Sequence, residues 1–216
     1  MSNTERRIIA AEVRAVGTGS AMRVCGMAAR YNVPTKINSK VGKFVERIMR
    51  GAFSRALDSK QDVAFLINHD PNRLMARVSS GTLRLRDTDE GLAFDADFDE
   101  ESDDARNAYR SIQRGDMHGC SFGFDPDCES EWDQSEDPED RSRKMARRTI
   151  RSFKTVNDVS AVTFPAYPGT KVVARSVEQR SEIEIPEQFL VIPEPVKTSV
   201  ETIARRRRVF DIISRY

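Results

Sequence analysis

Histidine and cysteine are scarce in this 216-residue sequence, and their scarcity restricts the chemistry available to it. The two histidines are His69, in "NHD", and His118, in "GDMHGC". The three cysteines have no disulfide-framework spacing, which favours reduced thiols in a cytosolic setting. Paired C-x-x-C and H-x-x-x-H spacings are missing, so His118, Cys120 and Cys128 do not predict a metal site. A glycine-rich phosphate loop is also missing, and we expect no cofactor.

Long apolar runs and an excess of one charge are lacking as well. No apolar run approaches about 18 residues, and "MSNTERRIIAAEVRAV" has no uninterrupted apolar core, so we expect neither a membrane span nor a signal peptide. The net charge of +1 does not indicate a nucleic-acid binder. The basic runs at residues 141–151 and 205–208 have few interleaved aromatic residues, which favours solvated faces over a nucleic-acid interface.

Charge is nevertheless segregated along the chain. Residues 125–140 carry nine acidic side chains and no basic one, and residues 141–151 carry six basic side chains and no acidic one. Such blocks are usually solvated, so we expect a flexible charged loop at about residues 125–148. Beyond residue 175 the sequence becomes rich in proline and glutamate. We therefore predict a domain over residues 1–175, followed over residues 176–216 by a linker and a basic C-terminal helix or tail.

Short alternating segments predict mostly β structure. Residues 6–16 and 21–32 read as a hairpin, and "TLRLRDTDEGLAFDADFD" is a second and stronger one. Helices are expected near residues 52–59, and from an N-cap at Ser102 to a stop at Gly115. Many short strands with turn signals favour an α+β, mainly β fold, in which a closed or nearly closed antiparallel β-barrel is flanked by a few helices.

The stretch "GCSFGF" places two candidate nucleophiles side by side. A thiolate is intrinsically the better nucleophile, which favours Cys120, but adjacent strand residues face opposite sides of a sheet. Cys120 shares its side with Phe122 and Phe124, so it is expected to join the apolar face. Ser121 shares the other face with Gly123, where a missing side chain would let a substrate backbone approach.

A nucleophilic serine needs a base within hydrogen-bond reach and a third group that orients the base. His118 differs in strand parity from Ser121, which argues against a direct pair. His69 follows a buried strand and would have to meet Ser121 through the fold. Asp158 opens the strand-like run "DVSAVTF" and is the best third candidate, although on spacing alone a turn aspartate before a strand is the more ordinary role for it.

Three ordered blocks resemble the tailed-phage prohead (capsid maturation) protease family. They read "FLINHDPNRLMARVSSGTLRLRDTDEGLAFDADFD", "GCSFGF" and "NDVSAVTFPAYPGT", and the preceding "FVERIMRGAFSRAL" fits as well. The resemblance covers about residues 6–173. It implies a serine endopeptidase whose fold is similar to that of the herpesvirus assemblin proteases, a β-barrel surrounded by helices.

The resemblance also implies a biological setting. Such enzymes are packaged with scaffold inside the immature capsid in the host cytoplasm, where they cleave the scaffolding portion of the capsid protein and often themselves. Self-cleavage is expected in the linker after residue 175, and the assemblin relatives make a homodimer worth testing. The charged loop would gate substrate or dock scaffold. A non-catalytic capsid-assembly protein of the same fold is the main alternative, and a nucleic-acid-binding barrel is a third.

Matching positions give each candidate residue a role. Ser121 would be the nucleophile, His69 the general base, and Asp158 the group that orients His69 and stabilises its cation. The family often has a glutamate at the third position, so Asp158 is a mild departure with a shorter reach. Assemblins use a histidine there and an arginine region for the oxyanion. Because this sequence has neither in the matching place, its oxyanion donors stay unassigned, with backbone N–H groups as the default.

Overall fold

The computed structural model describes residues 4–9, 13–16, 21–39, 42–137, 140–163 and 185–189. The strands within these ranges are β1 (Glu5–Ile9), β2 (Val13–Ala15), β3 (Arg23–Arg30), β4 (Thr35–Ser39), β5 (Gly42–Ile48), β6 (Ala64–Ile67), β7 (Asp70–Arg77), β8 (Leu83–Asp87), β9 (Gly91–Asp97), β10 (Gly119–Phe124), β11 (Cys128–Glu136), β12 (Lys144–Phe153) and β13 (Val156–Val162). The helices are α1 (Ser54–Asp58) and α2 (Asp103–Arg114), and Glu187–Phe189 forms a 3-10 turn. None of these helices is long and apolar enough to cross a membrane.

The described strands form three sheets. Their orders are β1-β10-β13-β6-β7, β11-β12-β5-β4 and β2-β3-β9-β8. The α+β, mainly β class is therefore confirmed. The closed antiparallel barrel is not found among the described residues, because the sheets are separate and the pairs β12–β5 and β13–β6 run parallel. Parallel pairs join strands that are distant in sequence, so local alternation cannot reveal them.

The strongest local signals form as expected. The β8–β9 hairpin pairs Leu85 with Phe94. Helix α2 begins at Ser102, whose side chain accepts a hydrogen bond from the Ala105 N–H, and ends at Gly115 in the left-handed conformation (φ 82°). The first hairpin is only partly as predicted. β2 pairs with β3, but β1 leaves that hairpin and pairs with β10 in another sheet.

The charged segment contains a β-hairpin where a flexible loop was expected, so that part of the prediction is wrong. β11 pairs with β12 antiparallel, and Asp133 lies directly opposite Arg147, with Arg147 Nε 2.7 Å from Asp133 Oδ1. Arg151 likewise donates to Glu131, over 2.7 Å. The acidic block therefore neutralises the basic block across the hairpin. Composition alone concealed the strands, because charged residues replace most of the apolar residues that alternation requires.

An aromatic cluster beneath the first sheet holds β10 in place. Phe53 stacks on Phe153 with ring centroids 4.6 Å apart and meets Phe122 edge-on at 5.4 Å. Phe122, Phe124 and Cys120 are fully buried. The prediction that Cys120 joins the apolar face is confirmed, and Ser121 therefore lies on the opposite face of a strand fixed by close packing.

A smaller apolar cluster lies on the second sheet. It consists of Ile37, Phe44, Ala146 and Ile185, with Trp132 and Phe189 packed against it. Ile185–Phe189 is the described part of the predicted linker. The remainder of the linker and the basic C-terminal helix lie outside the described residues, so the proposed division at residue 175 stays a prediction.

Candidate active site

His69 lies in a two-residue turn between β6 and β7. Ile67 pairs with Asp70, and the two residues between them, Asn68 and His69, have φ values of 54° and 58°. Two successive residues with positive φ are characteristic of a type I′ hairpin turn. Asparagine adopts this left-handed conformation with only a small energetic penalty. The turn therefore projects His69 from the end of a fully buried strand.

Asn68 attaches this turn to the end of β13. Its N–H donates to the Ala161 carbonyl over 2.9 Å, and its Oδ1 accepts from the Thr163 N–H over 2.9 Å. Its Nδ2 also lies 3.1 Å from Thr163 Oγ1. These contacts fix the position of His69 relative to the strand that carries Asp158.

We expect Asn68→Ala to lower the free energy of unfolding by about 2 kcal/mol, since it loses the side-chain bonds and places alanine in the left-handed region. Asn68→Gly is the matched control, because it keeps the backbone conformation and loses only the side-chain bonds, at about 1 kcal/mol. Urea denaturation measures both values. Equal losses in the two variants would mean that backbone conformation does not limit this turn.

Asp158 and Ser160 face the turn from β13. Asp158 is buried, and its Oδ1 lies 2.6 Å from His69 Nδ1. The Ser160 hydroxyl donates to the same carboxylate oxygen over 2.7 Å and lies 3.2 Å from His69 Nδ1. The sequence reasoning missed Ser160. Its signal was the D-x-S spacing, since residues two apart in a strand share a face.

Ser121 completes the cluster from the middle of β10. Its Oγ lies 2.6 Å from His69 Nε2, and it pairs directly with Ser160 on β13. The fold thus brings together all three predicted site residues from separate parts of the chain. His118 is not among them, because it is exposed and its Nδ1 lies 3.2 Å from the Gly115 carbonyl.

Cys120 is poorly suited to act as the nucleophile. Its side chain is fully buried in the main core, on the face of β10 opposite to Ser121. Burial, which outweighs a hydrogen bond from the Ser121 backbone, raises the pKa of the Cys120 thiol well above its usual range. The reactive thiolate is therefore disfavoured at this position.

Gly123 makes room for the Asp158 carboxylate. The two residues pair directly across β10 and β13, and a Cβ built on Gly123 would overlap Asp158 Oδ2 and lie 3.2 Å from Thr4 Cγ2. The sequence predicted that a substrate backbone would approach at Gly123. That prediction is wrong, because the Asp158 carboxylate fills the space next to Gly123. The absence of a side chain at Gly123 is thus a condition for the position of Asp158.

We expect Gly123→Ala to displace the Asp158 carboxylate and to slow the reaction of Ser121 with a fluorophosphonate by roughly 100-fold, as small misplacements of a group in such a cluster can do. The chain should remain folded, because the affected face lies outside the aromatic cluster. The rate of Ser121 modification, with circular dichroism as a folding check, measures this effect. Gly119→Ala, on the same strand but away from Asp158, is the control, and equal losses in both variants would contradict the explanation.

The three side chains form a continuous chain of hydrogen bonds from a carboxylate through an imidazole to a hydroxyl. Such an arrangement lets the imidazole accept the hydroxyl proton while the carboxylate fixes its tautomer and stabilises its cation. The three residues come from β13, from the β6–β7 turn and from β10, all in one sheet. This is the arrangement that acyl transfer to a serine requires.

Comparison with known proteins identifies the family. A family model described as caudovirus prohead serine protease matches residues 10–183, well over half of the chain. No curated protein and no solved structure matches the chain. The resemblance seen in the sequence blocks is therefore confirmed, and the chain belongs to the caudovirus prohead serine protease family, the capsid maturation proteases of tailed phages.

Proposed function

We propose that this chain is a serine endopeptidase in which Ser121 attacks, His69 is the general base and Asp158 orients His69. The observation that supports this best is the pair of 2.6 Å contacts that His69 makes, one to Ser121 Oγ and the other to Asp158 Oδ1. The same constellation of groups performs acyl transfer on several unrelated folds. Membership of a serine protease family supports the same chemistry.

Acylation uses all three residues. His69 Nε2 takes the Ser121 hydroxyl proton as Oγ attacks the carbonyl carbon of the scissile peptide. Asp158 accepts the Nδ1–H hydrogen bond and stabilises the imidazolium that forms. His69 then gives the proton to the leaving amine, the C–N bond breaks, and the acyl group remains on Ser121.

Deacylation repeats the sequence with water. His69 removes a proton from a water molecule, the hydroxide attacks the ester carbonyl, and Ser121 leaves with the proton that His69 returns. The negative charge on the carbonyl oxygen needs hydrogen-bond donors in both steps. Backbone N–H groups of β10 are the donors we favour, since they lie on the strand that carries the nucleophile.

The substrate that fits this family is the scaffolding portion of the major capsid protein, and we propose that the chain also cleaves itself. Both reactions would take place inside the immature prohead, in the host cytoplasm. A homodimer belongs to the same proposal. Light scattering of the purified chain at several concentrations measures the oligomeric state.

The direct test is incubation of the purified chain with its cognate capsid protein, followed by intact mass measurement over time. We expect fragments that correspond to loss of the scaffolding portion, and none in a parallel incubation with Ser121→Ala. A capsid protein that keeps its full mass in both incubations would favour the alternative, a non-catalytic assembly protein of this fold. The complete burial of Ser121 is the observation that keeps this alternative in view.

A further inference from the structure

Strand β1 covers the nucleophile. β1 is the outer strand of its sheet and pairs antiparallel with β10, so that Ile8 lies opposite Ser121. Ser121 has no exposed surface, and His69 is only 6% exposed. A cavity of about 680 Å³ lies elsewhere, between β5 and the β11–β12 hairpin, and none of the three site residues lines it. A peptide has no access to Ser121 while β1 stays in place.

The contact between β1 and Ser121 resembles that of a bound peptide. Ser121 Oγ lies 2.8 Å from the Arg7 carbonyl oxygen and 2.6 Å from His69 Nε2. A serine hydroxyl has a single proton, so it cannot donate to both acceptors at once. A backbone carbonyl of β1 thus lies beside the nucleophile, where a substrate carbonyl must come, and competes with His69 for the hydroxyl proton.

We infer that β1 occupies the substrate-binding edge of β10, and that substrates bind by replacing it as an extended antiparallel strand. This inference rests on the proposed function. The residue in the place of Arg7 would supply the scissile carbonyl, and departure of β1 would free backbone groups of β10 for the incoming peptide, as in other cases of strand addition. The family model begins at residue 10, after β1, which fits a strand that is not part of the shared protease core.

The pocket around Arg7 indicates which side chain the substrate presents there. Arg7 is 2% exposed, its Nη2 lies 2.8 Å from Glu46 Oε2, and its Nε also contacts the Glu46 carboxylate. Its guanidinium carbon lies 5.1 Å from the centre of the Phe124 ring. A carboxylate and an aromatic face together select a planar cation. The residue before the scissile bond is therefore arginine.

A second selective position lies two residues earlier. Glu5 Oε2 is 2.6 Å from Arg7 Nη2 and 3.4 Å from Arg148 Nη1. Arg6, which lies between Glu5 and Arg7 in the sequence, is exposed. Glu5 Oε1 is buried without a hydrogen-bond partner among the described residues, so β1 fills this place imperfectly. The recognised pattern is then glutamate, any residue, arginine.

This pattern recurs in the chain at residues 12–14, 139–141 and 178–180, and of these only "EQR" at residues 178–180 lies within the stretch where self-cleavage is expected. Cleavage there would break the peptide bond between Arg180 and Ser181. The Arg180 carbonyl would pass to Ser121 Oγ and then, through water, to a free carboxylate, while the Ser181 nitrogen would leave with the proton from His69. In the sequence, the 3-10 turn at Glu187–Phe189 follows this bond by six residues.

The first test measures how fast a fluorophosphonate modifies Ser121. The Arg7 carbonyl faces β10, whereas the Arg6 carbonyl faces away and accepts from Arg7 Nη1 over 3.0 Å. By alternation the Ile9 N–H faces β10 and the Arg6 N–H does not. Ile9→Pro should loosen β1 and raise the modification rate about tenfold, the equivalent of one or two lost hydrogen bonds, whereas Arg6→Pro should leave the rate near that of the wild type.

Equal rates in the wild-type, Ile9→Pro and Arg6→Pro chains would overturn the inference but leave the proposed function standing. No modification of Ser121 in any of the three would count against the proposed function itself. Circular dichroism checks that each variant is folded. If Ile9→Pro is not folded, the inference is decided by the second test, which needs only the wild-type chain.

The second test uses peptides with the sequence of residues 3–10, NTERRIIA, and prolonged incubation with the wild-type chain. We expect cleavage between the positions of Arg7 and Ile8. In the peptide, Arg7→Glu should lower kcat/KM at least about 30-fold, as expected when a buried charge loses its partner, whereas Arg6→Glu should change it less than about threefold. Cleavage elsewhere, or equal effects of the two substitutions, would overturn the inferred specificity.

Discussion

Ser121→Ala is expected to lower the rate of peptide hydrolysis by at least about 10⁴-fold, because removal of a serine nucleophile eliminates the acyl-enzyme route. The chain should still fold. Alanine fits the same buried position, and the loss of the hydroxyl contacts to His69 and to the Arg7 carbonyl should cost about 1–2 kcal/mol of unfolding free energy. Single-turnover hydrolysis, with urea denaturation alongside, measures the two quantities separately.

Cys120→Ala is the matched control, since it changes the neighbouring residue on the other face of β10. It should keep activity within a fewfold of wild type and lower stability by about 1–2 kcal/mol through the small cavity that it leaves. The reverse pattern, with activity lost in Cys120→Ala and kept in Ser121→Ala, would identify the thiol as the nucleophile. The burial that raises the Cys120 pKa argues against that result.

Asp158→Asn is expected to have the second largest effect, a decrease of about 10⁴-fold in kcat, by analogy with the same replacement in other serine triads. An asparagine amide can donate a hydrogen bond to His69 Nδ1, which then has to be unprotonated. The neutral imidazole therefore carries its proton on Nε2. That tautomer cannot accept the Ser121 proton. Burst-phase kinetics should show that acylation itself has slowed.

Two further variants separate orientation from packing at this position. Ser160→Ala removes the hydroxyl that donates to Asp158 Oδ1, and the expected loss is no more than about 100-fold, because the carboxylate remains. Asp158→Glu should restore little activity, since the carboxylate already fills the space above Gly123. Near wild-type activity in Asp158→Asn would exclude Asp158 as the third member of the triad.

Features that depend on neighbouring residues could be predicted from the sequence. The alternation in "TLRLRDTDEGLAFDADFD" gave the β8–β9 hairpin, and the Ser102 and Gly115 signals gave both ends of α2. Strand parity placed Cys120 in the core and Ser121 on the other face. Each of these features is decided within a few residues, where propensity and side-chain direction act directly.

Features that depend on distant pairing were inaccessible to such reasoning. The parallel pairing of β13 with β6 places Asp158 within reach of the His69 side chain, and only the resemblance to a family suggested that these residues meet. The pairing of β1 with β10 was missed because residues 6–16 read as a single strand. The β11–β12 hairpin was missed because ion pairs such as Asp133–Arg147 replace apolar contacts across it.

The central claim is that Ser121 is the nucleophile of a triad in which His69 is the base and Asp158 orients His69. Its most direct test is to treat the wild-type chain with a fluorophosphonate to completion and to locate the adduct by tandem mass spectrometry. The account predicts a single adduct on Ser121 that is absent from Ser121→Ala and strongly reduced in Asp158→Asn. An adduct on another residue, or modification of Ser121 that does not depend on Asp158, would contradict it.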